Sequence, residues 1–78
     1  MDTNTKAIAH RVDAARRGQG VEIRPLSVAT GIPRVTLTRM LAGDAEFKTS
    51  QLLRVAHELK ADAASWITDL PKASRVAA

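Results

Sequence analysis

The chain has 78 residues, no cysteine, one tryptophan, one phenylalanine and a formal net charge of +4. That length supports one domain around one small core, and the missing cysteines exclude both a disulfide framework and a thiolate metal site. No apolar run approaches the roughly 18 residues of a membrane span, and Met1–Thr5 leads into a charged helical pattern and not an apolar signal core, so a cytoplasmic protein is expected.

The charge is unevenly placed. Residues 1–43 carry seven basic and three acidic residues, whereas residues 44–78 carry five of each, so the whole excess lies in the first part. A phosphate surface would be drawn there, because neutralising phosphates releases counterions. A basic solubilising face is the plainer alternative.

Asn4 or Thr5 is the expected cap of a first helix with Ile8, Val12 and Ala15 on one apolar stripe. Arg16 and Arg17 suit the negative end of its dipole, and Gly18 and Gly20 close it. Val21 reads as a buried anchor, Glu22 as the next cap position, and Pro25 falls in a first turn, where its missing N–H costs little. The second helix runs to Thr30. Gly31 then supplies a positive φ, and Pro33 biases Ile32 away from the α region, so the chain turns instead of continuing. A third helix from Pro33 to Ala42 buries Leu37, Met40 and Leu41 and turns Val35, Thr38 and Arg39 outward, with Gly43 closing the unit. Short polar, basic and small apolar groups on an outward helix face suit the reading of base edges in a DNA major groove. The pair is a helix-turn-helix signal.

Phe47 is expected to fold back onto the core after the polar connection from Asp44 to Glu46. The spacing predicts a fourth helix over Thr49–Leu59, burying Leu52, Leu53, Val55, Ala56 and Leu59. Asp62 caps a short fifth helix with Trp66, Ile67 and Leu70 inward, and Pro71 ends it. The expected organisation is one all-α, five-helix domain over residues 1–70 and a flexible tail over 71–78.

These residues resemble the lambda-repressor-like DNA-binding domains, a family that includes phage repressors, Cro proteins and many antitoxins. The likeness spans Val21 to Leu70. It rests on the Leu26, Ser27 and Gly31 unit, on Leu37 and Gly43, and on the Leu52-Leu-Arg-Val-Ala56 and Leu59 pattern. The resemblance implies a compact five-helix fold whose second and third helices form the helix-turn-helix. It also implies that the start of helix three carries the base-contacting side chains, here Arg34, Val35, Thr36, Thr38 and Arg39.

The sequence departs from the family pattern at three points. Ile23 stands where many members have a phosphate-binding glutamine, Ala42 where many have Asn or another polar residue, and Pro33 where Ser or Thr usually caps helix three. Arg24 is the expected substitute at the first point, and backbone amides at helix starts can still bind phosphate. Arg24, Arg16, Arg17 and Lys48 are the expected phosphate contacts, with Lys6 and Arg11 as further candidates. Arg39 is read as a contact to base or phosphate. For Val35 a thymine methyl and packing against helix two stand level.

A sequence-specific double-stranded DNA-binding regulator is therefore expected, of the phage repressor or Cro kind, acting by operator occupancy. It would bind a palindromic site as a homodimer through Trp66, Ile67 and Leu70. An antitoxin-like module that neutralises a partner protein and regulates its own operon is the alternative. Catalysis is not expected. His57-Glu58 starts like a zinc-protease motif, but Ala61 stands where the second histidine would be needed, and no cofactor motif is present.

Overall fold

In a computed structural model, which describes residues 3–70, the chain forms α1 (Thr3–Gly18), α2 (Ile23–Thr30), α3 (Arg34–Leu41), α4 (Thr49–Glu58) and α5 (Ala63–Ile67). The described residues are all helix and connection, with no strand. The expected tail, 71–78, lies outside them. No described helix is long and apolar enough to cross a membrane.

α1 is already helical at Thr3, so neither Asn4 nor Thr5 caps it. Its buried line is Thr5, Ala9 and Val12, while Ile8 and Ala15 flank the core half-buried. The small side chains lie innermost because a neighbouring backbone comes close. Gly43 packs directly on this helix, and a Cβ there would sit 3.5 Å from Lys6 Cα. The α1 terminus closes as a Schellman turn, with Val21 N–H donating to Arg16 O (3.0 Å) and Gly20 N–H to Arg17 O (3.0 Å).

The turn between α2 and α3 is locked by its own polar groups. Gly31 adopts φ 75° and ψ 10°, and its N–H donates to Ser27 O (2.9 Å). Ser27 Oγ donates to Ile32 O (2.5 Å), and Thr30 Oγ1 donates to Leu26 O (2.8 Å). Ile32 then points inward and is fully buried. The turn is thus pinned by an apolar plug as well as by hydrogen bonds, and each buried polar group has its partner.

The core gathers Val12, Leu26, Ile32, Leu37, Met40, Val55, Leu59 and Trp66, with Phe47 and Leu52 packed against it. α2 packs on α3 and α4, α1 on α3 and α5, and α4 on α5. Three expected core residues, Leu53, Ile67 and Leu70, lie outside it. Leu53 and Ile67 are 56% and 49% exposed, because the inward stripes of their helices run through Val55, Ala56 and Leu59 and through Trp66. Trp66, expected inward and also at a contact between copies, is a core residue with only 4% of its surface exposed. Asp62 caps α5 as expected, its Oδ1 accepting from Ala64 N (3.0 Å).

Candidate nucleic-acid interface

The outward side of α3 carries Arg34, Val35, Thr38 and Arg39, all exposed, with Thr36 half-buried at its edge. Val35 is 73% exposed and is not among the residues packed on the core. Whatever contact it makes with α2 therefore buries little of this side chain. Arg39 lies over the end of its helix, with Nη2 3.4 Å from Asp44 O. Arg34 makes no hydrogen bond or ion pair among the described residues. From Ile23 to Gly43 there are three arginines and no acidic residue.

Three successive helix starts share an unusual electrostatic arrangement. Arg24 lies in the first turn of α2, Arg34 begins α3, and Lys48 occupies the N-cap of α4. None of the three first turns holds an acid. No side chain caps α2 or α3, and a lysine ammonium has no lone pair to offer the amides of α4. A cation at the positive end of a helix is unfavourable by a few tenths of a kcal/mol, and omitting a Ser, Thr or Asp cap forgoes about 1 kcal/mol. Glu22 occupies the N-cap of α2 but forms no cap hydrogen bond; at α3 and α4, where no carboxylate holds the cap, the combination leaves cations and uncapped amide donors together, which is the chemistry of an anion surface.

The expected phosphate contacts divide by geometry. Arg24 and Lys48 are exposed and form no side-chain hydrogen bond or ion pair among the described residues. Arg17 pairs with Asp13 (Nε to Oδ2, 2.8 Å) but remains largely exposed, and such surface pairs exchange at little cost. It lines the same shallow hollow, of about 180 Å³, as Thr38, so the end of α1 adjoins the outward side of α3.

Arg16, expected beside Arg17, is engaged within the fold. Its Nε and Nη2 donate to Asp13 Oδ1 (3.0 and 2.8 Å), and its Nη1 donates to Val21 O (2.8 Å). Arg11 is similarly engaged, with Nη1 donating to Trp66 O (3.1 Å) and Thr68 O (2.6 Å) at the end of α5. Arg16 and Asp13 are i, i+3 neighbours on one helix, whereas the Arg11 contacts cross to a distant helix end that helical periodicity does not encode. Arg54, a cation the sequence reading passed over, reaches Thr30 O at the end of α2 at 3.5 Å. Only the packing of α4 on α2 reveals it.

A second surface lies on α1, α4 and α5. An open groove of about 720 Å³ is lined by Ile8, Phe47, Leu52, Leu53, Ala63 and Ile67, among others. A smaller hollow of about 280 Å³ between α1 and the α4 region includes Leu70. Among the described residues, no group of three or more His, Asp or Glu side chains is placed to hold a metal ion. No family model matches the chain, and comparisons with curated proteins and with solved structures likewise return no match.

Proposed function

We propose that this chain is a double-stranded DNA-binding protein in which α2 and α3 act as a helix-turn-helix. The observation that carries this reading is the acid-free outward side of α3, presented by a turn that is hydrogen-bonded and plugged. In that arrangement α3 enters the major groove, with Arg34, Val35, Thr38 and Arg39 toward base edges and Thr36 at the margin. α2 crosses the backbone, and Arg24, Arg17 and Lys48 with the uncapped helix starts hold phosphates and fix register.

Within that class, the particular protein proposed is a small lambda-repressor-like regulator of the phage repressor or Cro kind, working by operator occupancy. Two copies would bind a palindromic operator whose half-sites lie about 34–36 Å apart. The groove beside Leu53 and Ile67 supports a contact between copies, with Leu70 at its neighbouring hollow and Trp66 serving the core. The same groove is what favours the second reading, an antitoxin-like module with a protein partner seated there.

Selection from random duplexes at 150 mM salt tests the proposal. One enriched sequence is expected, and Arg39→Ala should cost about 1–3 kcal/mol on it while relaxing preference at one base pair. Equal, weak binding to all duplexes would remove sequence-specific regulation from consideration.

A further inference from the structure

We infer that Val35 recognises the C5-methyl group of a pyrimidine in the major groove. The inference rests on the DNA reading and names one of its specificity determinants.

Val35 is the second residue of α3, and the first turn of a groove-reading helix is the part that reaches base edges. Its side chain is 73% exposed and is not part of the buried core. Valine at such a position is doubly unfavourable in the free protein. It leaves apolar surface in water, and it is a poorer helix former than the alanine, arginine or lysine that usually covers an exposed helix. Its neighbours on the same side, Thr38 and Arg39 at i+3 and i+4, offer hydrogen bonds; Val35 offers none. It therefore supplies the one purely apolar contact on that side.

The major-groove feature that best matches an apolar contact is a C5-methyl, the one alkyl group presented there among the hydrogen-bond donors, acceptors and ring C–H edges. β-Branching also restricts χ1, so the two methyls of Val35 are held in place at little entropic cost. Thymine carries the C5-methyl in ordinary DNA and 5-methylcytosine carries it in modified DNA. Val28, still more exposed at 79%, lies on α2 and provides the internal comparison.

The probe is the duplex enriched by selection. Each thymine of a half-site is replaced in turn by deoxyuridine, which deletes only the methyl, and each cytosine in turn by 5-methylcytosine. The expected result is one position where the methyl changes the affinity about fourfold, the ratio equivalent to roughly 0.8 kcal/mol for a buried methyl-sized group. A loss with deoxyuridine identifies thymine as the source, and a gain with 5-methylcytosine identifies the modified base. Val35→Ala should bind without regard to that methyl, and Val28→Ala should keep the discrimination. Alanine is the better helix former, so Val35→Ala should melt no lower than the parent, which separates a lost contact from a lost fold. A response within twofold at every position overturns the inference while the sequence preference, and with it the DNA reading, stands. A methyl effect that persists in Val35→Ala overturns it too, by assigning the contact to another side chain. If no sequence enriches, the inference falls together with the DNA reading.

Discussion

At Gly43 two demands fall on one residue. Its φ is 84°, a conformation that costs an L-residue roughly 1–2 kcal/mol, and a Cβ built there would lie 3.3 Å from Lys6 Cγ. Gly31, at φ 75°, has no atom within 4 Å of the corresponding position and carries only the first demand. Gly43→Ala should therefore destabilise the domain by about 1–2 kcal/mol, and by more than Gly31→Ala does; denaturant unfolding of the two variants side by side checks the order. Lys60 presents the opposite case. It ends α4 at φ 54°, in the position a glycine usually fills, with Ala61 N–H donating to Ala56 O (2.9 Å) across it. Lys60→Gly should stabilise the fold by about 0.5–1 kcal/mol, read as a higher Tm. Gly31 and Gly43 were legible in the sequence because glycine advertises a left-handed residue. Lys60 was not, because nothing in a lysine does. The partners of Arg11 were not legible for a related reason: a basic side chain looks the same in sequence whether it meets solvent, a phosphate or the carbonyls of a distant helix end.

Among the elements, the starts of α2, α3 and α4 contrast with the start of α5. α5 has a conventional Asp62 cap, whereas the other three have no such side-chain cap and carry a cation at or beside the start: Arg24 in the first turn of α2, which has Glu22 at its N-cap, Arg34 at the head of α3 and Lys48 at the N-cap of α4. If those ends serve phosphates, improving them as helix ends should harm them as binding ends. Lys48 allows the test, because its backbone is extended (φ −72°, ψ 154°) and its N–H already donates to Gln51 Oε1 (2.9 Å). Lys48→Ser would complete a capping box with Gln51 and should raise stability by about 0.5–1 kcal/mol. The same change should lower the salt dependence of DNA binding by about one phosphate. A variant more stable yet unchanged in its salt slope would show that residue 48 is a tolerated surface charge. All five helices and the Gly31 break were readable from apolar spacing and breakers, since those signals are local. Which leucine or isoleucine of a short helix faces in was less readable. In α4 and α5 a small rotation moves Leu53 and Ile67 from core to surface, and the packing of α4 on α2 and of α5 on α1 and α4 fixes those rotations.

For the whole molecule, if it binds DNA as proposed, the number of copies should follow from how charge and apolar surface are distributed. The net charge resides in residues 1–43, while Leu53 and Ile67 expose apolar surface on α4 and α5. Charge alone would keep copies apart; the apolar groove would draw them together once phosphates neutralise the basic side. Three phosphate-facing cations per copy, Arg17, Arg24 and Lys48, should give log K against log salt a slope of about −2.7 for one copy and about −5.4 for two bound cooperatively. The steeper slope is expected on a palindromic duplex. Ile67→Glu places a charge in the groove without touching any helix start or the α3 side, and the residue is half exposed, so the fold should persist. It should return the slope to the one-copy value and abolish cooperativity, while binding to a single half-site stays as it was. Band-shift titrations of full and half-site duplexes over 50–200 mM salt distinguish the outcomes. A full cooperative slope in Ile67→Glu would mean that the groove is not where the copies meet, and would leave it to a different protein partner.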